Sequence, residues 1–282
     1  MVRLRLRIQL LVLIILLLSL PLTAALSQES GGLFTAAEMP LGSRISPCRS
    51  TIPRSRAVTI DFTALKAAST LTLNLFDDVT YTAVNTKLEP RPLGQPGYIW
   101  SGRLAGIEMS SVTLVVNDQS GIVNGMIGVP GYRYALSAVG QGGVHEIAQY
   151  ELGSGEIAYA STNFIASTLL QPRVDDGSEI DILVIYTPGA KSIMERVVGD
   201  VDTAIDGAIA HTNQIFTDSG ITTQLNLVHV QPIFYLEQPN VDFDADLNNL
   251  MGTDDGYMDD VHALRDLYQA DLVAMISGVW FA

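Results

Sequence analysis

Cysteine is almost absent: Cys48 stands alone in 282 residues, so no disulfide can form within the chain and the core must hold the fold unaided. Basic residues are scarce and unevenly spread. The chain carries 16 Lys and Arg against 30 Asp and Glu, a net charge of -14, yet residues 1–56 hold seven of those bases with only Glu29 and Glu38 as acids. From Val174 onward, nineteen acids face only Lys191, Arg196 and Arg265. So acidic a surface repels phosphate backbones, which argues against nucleic acid as a partner and suits either an exported protein or a cation binder. Phosphate-binding loops are missing as well. Lys191-Ser192 follows a strand and a Gly turn, but Ile185 and Ala190 stand where a phosphate loop needs Gly, and no G-x-G-x-x-G follows Tyr186.

At the N-terminus, Ile8 to Leu20 is apolar except for Gln9 and Ser19. That is shorter than the roughly 18 apolar residues expected of a membrane span. Arg3, Arg5 and Arg7 precede the run, and Pro21 and small residues follow it. This is the order of a secretory signal over residues 1–27, with cleavage after Ala25 or Ser27; an uncleaved anchor is the alternative. The expectation is a secreted or periplasmic protein with no stable membrane anchor after cleavage.

Residues 28–56, rich in Gly, Ser, Pro and Arg and containing Cys48, read as a linker or poorly ordered segment. Residues 57–152 carry short β-rich runs (Val58 to Phe62, Leu71 to Phe76, Tyr98 to Leu104, Val112 to Val116, Gly121 to Val129) separated by turn residues. That spacing predicts an antiparallel meander or sandwich. Residues 153–178 form a polar, Gly-containing connector around Arg173, either a plain linker or a site of proteolytic processing.

The apolar run Ile182 to Tyr186 breaks at Thr187-Pro188-Gly189, and helical spacing follows at Ile193, Val197, Val201, Ile205, Ile209 and Phe216. A second apolar, β-branched run spans Ile221 to Val230. This predicts a β–α–β unit with parallel strands. After a loop-rich acidic stretch, Gln238 to Asp260, come a helix over Met258 to Gln269 and a third buried-type strand over Ala270 to Ser277.

The segments IDILVIYTPGA (180 to 190), AIDGAIAHTNQIFTDSGITTQLNLVHV (204 to 230), DLNNLM (246 to 251) and ALRDLYQADLVAMIS (263 to 277) resemble the N-terminal half of a metzincin-type zinc metallopeptidase domain. They are nearest to the reprolysin-like and peptidyl-Asp metallopeptidase group. More weakly, the β-rich region with Tyr98-Ile-Trp100-Ser-Gly102 and Gly140 to His145 is similar to prosegments of that group. The resemblance implies an α+β two-part chain: a β-rich antiparallel prosegment domain over 57–152, then a partial α/β upper subdomain over 179–282 with three parallel strands and crossover helices. It also implies zinc as the family's cofactor and protein or peptide substrates.

Family members hold zinc with a helix-borne H-E-x-x-H and a third His, the Glu polarising the zinc-bound water. No H-E-x-x-H occurs in these residues, so no catalytic, cofactor-binding or metal residue is assigned and no zinc is expected to bind this chain. The expectation is a precursor truncated before its zinc helix and inactive alone.

Substitutes fail one by one. His145-Glu146-Ile147-Ala148-Gln149 places Gln149 where the second ligand belongs, in a β-rich region. His211 and His262 sit on helices, the latter with only Asp266 at i+4, and His229 sits in a strand. Asp242, Asp244 and Asp246 resemble the start of a calcium loop, but Leu247 replaces its Gly and Thr253 its Glu. A looser cation site with Asp254, Asp255, Asp259 and Asp260 stays open beside a solvated acidic loop. A thiolate from Cys48 as a zinc cap is disfavoured by its position ahead of the β region. Two other functions remain: a non-catalytic exported binding or inhibitory protein, and an α/β cation-binding module.

Overall fold

Leu71, Leu73 and Leu75 alternate with polar neighbours and are buried, and Trp100, Leu114, Ile127, Leu136 and Ile147 join them in one apolar interior. Around that interior runs a single antiparallel sheet of nine strands. They are β1 (Phe34–Ala36), β2 (Arg54–Ile60), β3 (Thr70–Phe76), β4 (Val79–Pro90), β5 (Tyr98–Leu104), β6 (Ser111–Asn117), β7 (Ile122–Val129), β8 (Tyr132–Ala138) and β9 (Val144–Glu151). The computed structural model describes residues 31–40, 54–139, 143–152, 179–237 and 243–278. Strands β3 to β9 form a meander, and β9 pairs with β2, which pairs with β1. A six-residue helix, α1 (Phe62–Ala67), starts at Asp61, whose carboxylate accepts the N–H groups of Thr63 and Ala64.

The sheet curls until β1 and β3 come side by side, giving a nearly closed, barrel-like body. Its seam is sealed by a side chain rather than a ladder. Asn74 on β3 accepts the Phe34 N–H at 2.9 Å and donates to the Phe34 carbonyl at 2.7 Å, while the Leu33 N–H reaches the Thr72 carbonyl at 2.8 Å. A Cβ on Gly32 would stand 2.1 Å from the Asn74 carboxamide, so only Gly lets the chain pass this close. Asn74→Ala should lose both bonds and strand two backbone groups, lowering stability by about 1–3 kcal/mol. The urea midpoint measures it; an unchanged midpoint would show that the seam closes without Asn74.

A smaller, parallel sheet has the order β11-β10-β12, from β10 (Glu179–Tyr186), β11 (Gln224–Pro232) and β12 (Leu272–Ile276). Central β10 is buried on both faces, with Ile182, Val184 and Tyr186 on one side and Leu183 and Ile185 on the other. The first side is covered by α2 (Pro188–Val197) and α3 (Val201–Asp218). Residues of α4 (Phe243–Met251) and α5 (Asp259–Tyr268) pack on the second.

These observations correct the expected fold class. The chain is mostly antiparallel β, with nine of its twelve described strands in the barrel-like sheet, and an α/β metzincin subdomain does not describe it. Strands β1, β4, β8 and β9 escaped the sequence because none is a sustained apolar run; β1 lies within the residues read as a linker, and β4 exposes one face along most of its twelve residues. The single helix expected through Ile193 and Phe216 is also two. Gly199, at φ +81° and with room for no Cβ beside Ala138, breaks it, and the Asp200 carboxylate caps the second part. Part of the acidic stretch expected as loop is helix α4, with Asp244 and Asp246 in its first turn.

Candidate functional site

The four histidines occupy separate elements of the fold. His145, on β9, is fully buried; its Nε2 accepts the Val123 N–H at 3.0 Å and its Nδ1 lies 3.1 Å from the Gly143 carbonyl oxygen. Because Nε2 must accept, the proton sits on Nδ1, and burial drives the ring's pKa down to about 4. Gln149, four residues along the same strand, accepts from Arg54 Nε at 2.8 Å. Four residues of strand span about 13 Å, far beyond one metal's reach. His211 lies on α3, with Nδ1 buried and unpartnered. His229 on β11 stacks on Tyr268 with centroids 3.9 Å apart, and His262 on α5 is bonded through Nε2 to the Gly252 carbonyl at 2.6 Å. Asp266 pairs with its neighbour Arg265 on the surface.

Three of the acidic residues are engaged within the fold. Asp246 accepts the Tyr235 hydroxyl at 2.6 Å, and Asp255 and Asp259 accept backbone N–H groups of the turn before α5. Among the described residues, no three His, Cys, Asp or Glu side chains come together as a set able to hold a metal. Asp242, Cys48, the 1–27 leader, the connector at 153–178, and residues 28–30 and 41–53 of the expected linker lie outside the described residues, while β1 and the start of β2 fall within that linker's bounds. The Lys191 ammonium lies 3.7 Å from Glu195 along α2, an exposed helical pair. A zinc ion therefore finds no matching donor set in the described residues.

The turn after β10 is held at three points. The Thr187 hydroxyl accepts the Ala190 N–H at 3.1 Å, capping α2, and donates to the Glu237 carboxylate. That carboxylate also accepts the Gly278 N–H at 2.6 Å, tying the end of β12 to the start of α2.

The most unusual polar grouping lies where α3 packs on the outside of the barrel. Strand β6 sends Val112, Leu114 and Val116 inward and Val115 outward against Ala210 of α3, which is why it is buried on both faces. Beside that contact, buried Arg91 donates from Nε to Asp206 at 2.7 Å and from Nη1 to the Pro96 carbonyl at 3.0 Å; its Nη2 lies 4.0 Å from Asp200. Burial pushes the Asp206 carboxyl up to about 6, against the opposing pull of Arg91. Nearby, Asn124 Nδ2 donates to Thr203 Oγ1 at 2.8 Å. At the rim, Arg103 of β5 pairs with Asp218 at the end of α3.

Sequence reasoning singles out none of Arg91, Asn124, Thr203 or Asp206. The one local signal is a carboxylate in sequence between Ile205 and Gly207. Its partner lies 115 residues away.

No family model matches the chain. It is 26% identical over 273 residues to a peptidyl-Asp metalloendopeptidase of Xanthomonas campestris pv. campestris, a match covering 89% of this chain and 63% of that protein. It is 25% identical over 216 residues to a protein of the same name from Stenotrophomonas maltophilia, covering 69% of this chain and 50% of that protein. The chain thus spans between half and two thirds of the length of these curated relatives. Among solved structures, metalloproteinase-II from Bacteroides fragilis aligns at 8% identity over 74% of this chain and 62% of that one, with a TM-score of 0.35, too low to carry an argument. The sequence similarities support a relationship between this chain and the metallopeptidases.

Proposed function

We propose that this chain is part of an exported, zinc-dependent metalloendopeptidase precursor of metzincin type, its barrel acting as the prosegment, and that alone it does not hydrolyse peptides. The supporting observation is similarity to a peptidyl-Asp metalloendopeptidase that runs through 89% of the chain rather than through one motif. In a complete enzyme of this kind, zinc activates the water that attacks the peptide carbonyl. The residues here do not fit that role, because the sequence has no H-E-x-x-H, and His145, His211, His229 and His262 lie on β9, α3, β11 and α5. Protein or peptide substrates belong to this proposal, as does a secreted or periplasmic location, which the charged, apolar and small-residue order of residues 1–27 supports. No helix among the described residues is long and apolar enough to cross a membrane.

The test is a casein assay on the purified chain, with and without a chelator. No cleavage above background is expected. Hydrolysis that the chelator abolishes and zinc restores would contradict the proposal.

A further inference from the structure

Between the outer face of β6 to β9 and the helices α2 and α3 lies a cavity of about 500 Å³. Most of its wall is apolar, from Met126 and Ala135 of the barrel to Val197 and Ala204 of the helices, and among the described residues no Asp, Glu, Lys or Arg lines it. Three buried polar atoms on that wall have no hydrogen-bond partner: Thr113 Oγ1, Asn124 Oδ1 and His211 Nδ1. Thr113 is 2% exposed and Asn124 7%, so both are nearly withdrawn from solvent. Orphaned buried groups are costly, roughly 1–3 kcal/mol each, and three around one cavity mark a place built to be filled.

The orientation of Asn124 follows from its neighbours. Thr203 Oγ1 lies 3.0 Å from both the Asp200 carbonyl and the Asp200 carboxylate, so its one hydrogen is directed to Asp200. It can then only accept from Asn124, which makes the group facing it Nδ2 and leaves the Oδ1 acceptor unpartnered. The occupant must therefore present a donor to Asn124.

Water alone is a poor filling. At about 30 Å³ each, on the order of 16 waters would occupy this volume, against a largely apolar wall on which, among the described residues, three fully buried polar atoms lack a partner. The volume lies within the roughly 300–1,000 Å³ usual for small-molecule sites. We propose that this cavity binds an uncharged small molecule with an apolar body and a hydroxyl or amide N–H that donates to Asn124 Oδ1, between the barrel and α3. The site is independent of peptide hydrolysis. Desolvation lowers the pKa of His211, and nearby Arg133 adds to the effect, which keeps the imidazole neutral at neutral pH and consistent with an uncharged ligand.

The test uses three probes on the unmodified chain at pH 7: hydroxynaphthalene, methoxynaphthalene and naphthoate, followed by calorimetry and ligand-observed NMR. Saturable one-to-one binding of hydroxynaphthalene is expected, roughly ten-fold tighter than methoxynaphthalene, as one neutral hydrogen bond implies, with naphthoate weakest. Absence of saturable binding up to the solubility limit would mean a water-filled space and overturn the proposal. So would equal affinity for the hydroxyl and methoxy probes, or a preference for the anion. As a second arm, Gly207→Leu should abolish binding. A Cβ at Gly207 meets only Val115 Cγ2 at an ordinary 3.6 Å, leaving the rest of the side chain to enter the cavity. Retained binding in a variant with native circular dichroism would overturn the site; if that variant fails to fold, the three-probe comparison decides alone.

Discussion

Replacing Arg91 with methionine is expected to destabilise the chain by about 3–5 kcal/mol, the penalty for leaving one member of a buried ion pair without the other. Arg91 stands between Pro90 and Pro92 just after β4, and both it and Asp206 are 2% exposed. Without the guanidinium, the Asp206 carboxylate is sealed under α3 with no cation, and it escapes only by taking up a proton. The sign of the pH dependence follows. In the intact chain burial already raises Asp206 to about 6 from the ordinary 3.8, so between those two values the folded state holds a proton that the unfolded state has released. That contribution to stability is complete below pH 4 and is lost as pH rises through 6. Removing Arg91 raises the folded value further, so the Arg91→Met penalty should be larger at pH 8 than at pH 5. Adding Asp206→Leu to Arg91→Met should recover most of the loss, because an apolar pair leaves no buried charge. Urea midpoints of the three chains at both pH values measure this. A single-variant loss below about 1 kcal/mol, or a double variant no better than the single, would show that the pair does not hold α3 on the barrel.

Acid should expose the second buried group. His145 is neutral in the folded state with a pKa near 4, against 6.5 for an ordinary histidine. A base with a depressed folded pKa contributes stability that is whole above pH 6.5 and disappears as pH falls toward 4. The shift corresponds to about 3 kcal/mol over that window. His145→Leu removes this titration but strands the Val123 N–H that Nε2 now accepts, costing about 1–3 kcal/mol at pH 7.5. The gap between the two chains should therefore shrink, and can reverse, as pH falls from 7.5 to 4.5. Asp206 works in the opposite sense over much of the same range, so the intact chain's own profile should be shallow and only the comparison isolates His145. Midpoints that stay a constant distance apart from pH 7.5 to 4.5 would contradict a neutral, buried ring.

Local patterning carries some of this architecture and not the rest. The unbroken run Ile182 to Tyr186 is legible because β10 is central and covered on both faces, and Thr187-Pro188 is legible as a break because Thr187 caps α2 with proline at its start. The extent of the barrel is not, for β4 pairs through its backbone while exposing much of its length. Closure rests on the Asn74 side chain meeting Phe34, 40 residues earlier, and no periodicity reports such a contact. The polar grouping under α3 stays hidden for the same reason, since Arg91, Asn124 and Asp206 look unremarkable until the barrel and helix are brought together. The histidines are legible only as unpaired in sequence, and the structure supplies contacts for His145, His229 and His262.

A relationship to metalloendopeptidases, in a chain whose described residues bring together no zinc donor set, is tested most directly by metal content. The purified chain is incubated with a molar equivalent of zinc, desalted, and measured by inductively coupled plasma mass spectrometry. Far less than one zinc per chain is expected. One zinc retained per chain, and lost when a histidine among His145, His211, His229 and His262 is replaced, would contradict it.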